Sequence, residues 1–148
     1  MKPVQATGRI LALDLGRKRI GLAISDELGI TAQGLETLER QGRREDIESL
    51  RRLASERGVT RFLIGDPLHM SGDSSRQGDY TREFAGELER KTGLSVIFRD
   101  ERWTSREAER TIRGMGVGNS SRKATIDRLS AVILLQSYLD SAPPELGR

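Results

Sequence analysis

Residues 9–25 read RILALDLGRKRIGLAIS. Two short apolar runs, 9–15 and 20–25, are joined by a Gly-containing basic turn, the pattern of a β-hairpin, so the chain opens as antiparallel sheet. A weaker third strand is expected near 31–39. The first run carries a charge where an apolar strand usually has none. It closes on Asp14, and an ionised carboxylate beside apolar neighbours loses hydration that it does not recover without a partner.

Beyond the hairpin the periodicity changes. In RREDIESLRRLASERG, Ile47, Leu50, Leu53 and Ala54 recur at helical spacing and the pattern stops at Gly58, a C-terminal signal. TRFLIGDP reads as a fourth strand. A second helix over about 76–91 carries Tyr80, Phe84 and Leu88 on one stripe, and LSVIFRDE reads as a fifth strand. Thr104 with Glu107 three residues on forms a capping box for a helix to about Arg113. The stretch GMGVGNSSRK (114–123) has no periodicity and is expected to be a loop, followed by a last helix over 125–139. An antiparallel opening followed by helix-crossed strands predicts an α/β fold, one mixed sheet of five strands flanked by helices.

At 148 residues the chain suits a single domain over 1–148, with short disordered tails at about 1–7 and 141–148. Cysteine is absent, which removes thiol nucleophiles, disulfides and cysteine zinc sites, and fits a reducing compartment. MKPVQATGR lacks the apolar segment of a signal peptide, and no apolar run reaches the length of a membrane helix. A soluble, cytoplasmic protein is expected. The single histidine, His69, leaves Asp and Glu as the main candidates for catalysis. Net charge is only +3, but of 25 basic residues all except four lysines are arginine. Arginine engages phosphate oxygens in bidentate fashion, which leans toward an anionic polymer, while solvated helix faces are the plainer explanation.

Three acids close strands or open helices: Asp14 after the first strand, Glu101 after the fifth in RDERWT, and Asp127 in the first turn of the last helix. Singly, each has an ordinary reading as a turn acid, a surface acid paired with Arg99 or Arg102, or a charge favoured by a helix N-terminus. Together they gain weight. If parallel strands bring Asp14 and Glu101 to one edge of the sheet, Asp127 at a helix start completes an oxygen-lined pocket suited to Mg²⁺ or Mn²⁺. Two carboxylates about 4 Å apart repel by about 4 kcal/mol at an effective dielectric of 20, more than a helix dipole returns. Such a cluster makes sense mainly as a cation site.

Phosphate-loop patterns fall short. Gly16 to Gly21 has the outer spacing of a P-loop, but Leu22 and Ala23 stand where Lys and Ser or Thr belong; Gly114, Gly116 and Gly118 lack the final glycine of a dinucleotide fingerprint. In GDPLHMSG (65–72), Asp66 is either an ordinary Asp-Pro turn or a possible fourth acid at the site.

The four segments LALDLGRKRIGLAISD, LIGDPLHMSG, RDERWTSREAE and IDRLSAVILLQSYL occur in the order of the YqgF (RuvX) family, which the chain resembles from about Arg9 to Asp140. The resemblance implies an RNase H-like fold related to Holliday junction resolvases, and a nuclease that matures the 5′ end of the 16S ribosomal RNA precursor in ribosome biogenesis. It further implies that Asp14, Glu101 and Asp127 are the catalytic, metal-holding acids, with Arg17, Lys18 and Arg19 close enough to hold substrate phosphates. Where the family usually has an apolar residue, this chain has Asp66.

A metal-dependent endonuclease follows as the expected function, with two cations about 3.5–4 Å apart serving an in-line phosphodiester cleavage. Arg102, Arg122 and Lys123 join the expected nucleic-acid contacts, the last two on the loop before Asp127. The partner is nucleic acid, either precursor rRNA or branched DNA, and the protein is a monomer or homodimer. Two rivals stand beside it. LDLGRKRIG is similar to the first phosphate loop of actin-like ATPases and sugar kinases, which use two such domains; a nucleic-acid-binding module without catalysis is the other.

Overall fold

The computed structural model describes residues 8–66, 74–100 and 119–141. Its elements are β1 (Arg9–Leu15), β2 (Arg19–Ser25), β3 (Ala32–Glu39), α1 (Arg43–Arg57), β4 (Val59–Asp66), α2 (Ser74–Thr92), β5 (Ser95–Asp100) and α3 (Asn119–Ser141). The five strands form one sheet in the order β3-β2-β1-β4-β5. β1 pairs antiparallel with β2, β2 antiparallel with β3, and the crossovers through α1 and α2 make β1, β4 and β5 parallel. The mixed sheet expected from the sequence is the one formed.

Strand alternation divides the core into two layers. Leu11, Leu13, Leu22, Phe62 and Ile64 pack with Ile47 and Leu50 of α1 and with Phe84 and Leu88 of α2. Ile10, Ala12, Ala23 and Leu63 turn the other way, against Ala131, Leu134 and Leu135 of α3. Each fully buried Leu, Ile or Phe contributes about 1.5–3 kcal/mol relative to exposure, so both layers hold the sheet.

α1 stops where its sequence says it must. Gly58 adopts φ 70° and its N–H returns to the Ala54 carbonyl, a left-handed cap that glycine takes without a Cβ clash. At the start of β1, where the register with β4 shifts, the Ile10 N–H donates to the buried Ser25 hydroxyl at 2.9 Å.

One boundary departs from the sequence reading. The last helix starts at Asn119, so Arg122 and Lys123 belong to α3 and not to a preceding loop, and Asp127 lies two turns inside the helix, not in its first turn. The physical reason is plain: Asn and Ser open helices, and Arg, Lys and Ala propagate them, while the apolar stripe that periodicity detects begins only at Ile126. Residues 1–7, 67–73, 101–118 and 142–148 lie outside the described residues, and with them the expected tails, the expected loop after β4 and the expected capping-box helix. Among the described residues, no helix is long and apolar enough to cross a membrane.

Candidate functional site

The carboxyl ends of the three parallel strands share one edge. Leu13 is in register with Ile64, and Ile64 with Phe98, so the next step across the sheet runs from Asp14 past Gly65 to Arg99. Asp66 and Asp100 are paired one residue further on. Glu101 follows Asp100 directly and lies, with Arg102, outside the described residues. Asp14 is half-buried, opposite Gly21 of β2. It shares the row of Ile10 and Ala12, the row covered by α3.

α3 is fixed to the sheet by polar contacts at its far end. The Gln136 side chain accepts from the Ala32 N–H at 2.9 Å and donates to the Ile30 carbonyl at 3.0 Å. Arg99 donates from Nε to the Ser137 hydroxyl at 3.0 Å, and its guanidinium lies 6.0 Å from the Tyr138 ring. The alternative pairing of Glu101 with Arg99 or Arg102 falls on a residue outside the described ones. Asp127 is on the helix that these contacts dock, one turn before Ala131.

The basic turn after Asp14 is well formed. The Gly16 N–H donates to the Arg19 carbonyl at 3.0 Å, and a Cβ at Gly16 would meet that carbonyl oxygen at 2.7 Å, so the tight turn requires glycine. Arg17 and Lys18 are exposed, while Arg19 is half-buried and pairs in register with Glu39 of β3.

Beneath this turn lies a group of residues that sequence reasoning missed. Arg40, just past β3, donates from Nε to Asp46 at 2.9 Å, from one terminal nitrogen to the Gly16 carbonyl at 2.9 Å, and from the other to the Tyr80 hydroxyl. Asp46 is 1% exposed. Burial works against the charge of Arg40, but hydrogen bonds to Tyr80 and Asp46 outweigh it and raise its pKa above the ordinary arginine value. One signal was available: Asp46 sits on the stripe of Leu50 and Ala54, an acid on the apolar face of an amphipathic helix.

Among the described residues, no group of three or more His, Asp or Glu side chains is placed to hold a metal ion. The structure therefore puts Asp14, Gly16–Arg19 and the carboxyl ends of β4 and β5 at one edge, with α3 over the Asp14 row.

The sequence model of the RuvX family, described as Holliday junction resolvase, matches residues 8–141. The chain belongs to the RuvX family. A relative from Koribacter versatilis, named "Putative pre-16S rRNA nuclease", is 46% identical over 139 residues, covering 94% of this chain and 91% of its own. One of the same name from Clostridioides difficile is 43% identical, covering 90% and 94%. Among solved structures, T. thermophilus RuvC in complex with a Holliday junction substrate matches with a TM-score of 0.53 at 12% identity, over 90% of this chain and 96% of that one. At that identity the likeness is one of fold, and the fold of this RuvX chain is RNase H-like.

Proposed function

We propose that this RuvX-family chain is a metal-dependent endonuclease of the cytoplasm that hydrolyses phosphodiester bonds in structured nucleic acid, with 5′-end processing of pre-16S rRNA as its reaction. The observation that carries the reading is Asp14: a half-buried carboxylate at the carboxyl edge of a parallel strand, followed at once by an exposed basic turn. A carboxylate at that edge supplies a hard oxygen ligand for a divalent cation, and the exposed bases beside it suit substrate phosphates.

Asp14, Glu101 and Asp127 form the proposed acid set. Support for pairing Asp14 with Asp127 comes from the docking of α3. From Gln136, anchored where β3 begins, Asp127 is nine residues back, about 13 Å along a helix. From Ile10, at the same edge, Asp14 is four residues on, about 13 Å along a strand. Glu101 enters because it follows β5 at the edge where β1 ends. Asp66, which ends β4 at that edge in register with Asp100, is the candidate for a fourth acid.

An all-carboxylate donor set fits a hard divalent cation such as Mg²⁺ or Mn²⁺. When bound, two such ions would supply an activated water and charge stabilisation at the leaving oxygen. The chain's own share is to hold those acids at fixed spacing and to grip substrate phosphates with Arg17, Lys18 and Arg19, joined by Arg102, Arg122 and Lys123. Arg122 and Lys123 lie within α3, one to two turns before Asp127.

The family's description favours a second substrate, the four-way DNA junction. A panel of labelled RNA and DNA structures incubated with pure protein and Mg²⁺ or Mn²⁺ separates the two. Cleavage of precursor RNA at the 5′ side, absent in Asp14→Asn, supports the proposal; junction cleavage alone replaces its substrate; no cleavage of any member overturns it.

A further inference from the structure

Arg40 stands outside the proposed acid set, yet it is tied to three parts of the molecule, the Gly16–Arg19 turn, α1 and α2. Its backbone N–H donates to the Lys18 carbonyl at 2.9 Å, and its side chain reaches the Gly16 carbonyl, Asp46 of α1 and Tyr80 of α2. The guanidinium carbon lies 5.6 Å from the centre of the Tyr80 ring and 5.7 Å from that of Phe84. Asp46 uses its second oxygen to accept from the Gln41 N–H at 2.9 Å.

Stability alone does not explain such a group. Apolar side chains of similar volume often serve a buried position as well as an ion pair does, because both charges must be stripped of water. A planar guanidinium adds direction. Its donors are fixed relative to one another, so docking one against Asp46 and one against Tyr80 sets where the third points. That third donor holds the Gly16 carbonyl, two residues after Asp14 and one before Arg17.

We propose that Arg40, held by Asp46 and Tyr80, is a positioning residue that fixes the Gly16–Arg19 turn so that Arg17 and Lys18 meet the phosphates of the nucleic-acid substrate. The inference rests on the nuclease reading above and adds to it a device that acts on substrate binding. A lysine at position 40 keeps the charge facing Asp46 but cannot reach three acceptors in one plane. The turn then loses its anchor while the fold keeps its ion pair.

The test combines three measurements on Arg40→Lys in the full chain. In the free protein, amide hydrogen exchange at Gly16 is expected to quicken about tenfold, with the amides of Leu50 and Leu53 in α1 unchanged. Affinity for a labelled RNA duplex falls about tenfold, and the slope of log affinity against log salt flattens by about 1 to 2, the loss of one or two phosphate contacts. In an Arg17→Ser/Lys18→Ser background, Arg40→Lys costs no further affinity, because what it positions is gone. Unchanged exchange and binding in Arg40→Lys overturn the inference, as does a loss that persists in full in the double-serine background. If Arg17→Ser/Lys18→Ser itself leaves affinity and slope unchanged, the phosphate-binding reading of the turn falls and this inference with it. If it weakens binding and Arg40→Lys does not, only the inference falls. Should Arg40→Lys fail to fold, Tyr80→Phe removes one branch of the group and keeps the ring, and the same three changes are expected in smaller degree.

Discussion

Leu13 of β1 lies in parallel register with Ile64 of β4, and this relationship sets the site. It aligns the end of β1 with the ends of β4 and β5, so an acid that terminates the first strand shares an edge with residues more than eighty positions later in the chain. Antiparallel pairing of β1 with β2 then returns the chain through a turn short enough to keep Arg17 and Lys18 beside Asp14.

The buried pair beneath that turn is expected to dominate local stability. Asp46→Ala leaves the Arg40 guanidinium without its carboxylate at a site where Arg40 is 15% exposed, and is expected to cost about 3–5 kcal/mol in urea denaturation. Glu48→Ala, which breaks the exposed pair with Arg51 at 2.6 Å, leaves the midpoint where it was.

Two glycines should respond in opposite directions. Gly16→Ala forces a Cβ onto the Arg19 carbonyl oxygen, backbone that cannot step aside, and should lower stability by about 1–3 kcal/mol. At Gly78, within α2, the nearest atom is the end of the flexible Arg82 side chain at 3.0 Å, so alanine should gain about 0.5–1 kcal/mol through helix propensity. Chemical denaturation of the two variants beside the wild type checks the signs.

The β2–β3 connection carries a pH-dependent contact. Asp26 accepts the Thr31 N–H at 3.0 Å and the Ile30 N–H at 2.7 Å, and these bonds, that of Thr31 first, hold its pKa below the ordinary 3.8. Because the folded value is the lower one, the contact stabilises the native state above the unfolded pKa, and that contribution is lost as pH falls through the folded one. An NMR titration of the Asp26 carboxyl should give a midpoint below 3.8. In Asp26→Asn the stability profile should lose this acid-side dependence.

The fold was legible where a pattern is local. Two apolar runs joined by a glycine-containing turn wrote the hairpin, helical spacing wrote α1, and Gly58 marked its end. What escaped was of two kinds. The start of α3 carries no apolar stripe before Ile126, so its first two turns rest on Asn, Ser and charged helix formers that periodicity does not register. The Arg40, Asp46 and Tyr80 group joins residues from three segments, and no local pattern shows that Arg40 meets the other two once the sheet and helices close together. At the site, Asp14 could be singled out because a charge at the end of an apolar strand is locally conspicuous.

The proposed acid set also makes a prediction about stability without catalysis. In metal-free buffer, Asp14→Asn or Asp127→Asn should raise the melting temperature by relieving like-charge repulsion. Mg²⁺ or Mn²⁺ at a hundredfold excess over its dissociation constant should stabilise the wild type by about 2.7 kcal/mol, and either variant much less. Melting curves of the three proteins with and without metal measure both effects.

The most direct measurement is single-turnover cleavage of a 5′-end-labelled pre-16S RNA fragment by purified wild type and Asp14→Asn, each with Mg²⁺, with Mn²⁺ and with a chelator. The account predicts a discrete 5′ product from the wild type with either metal and none with chelator. It predicts no product from Asp14→Asn in any condition, although that variant still binds the RNA. Cleavage by Asp14→Asn at a rate near that of the wild type, with contaminating nuclease excluded, would contradict it.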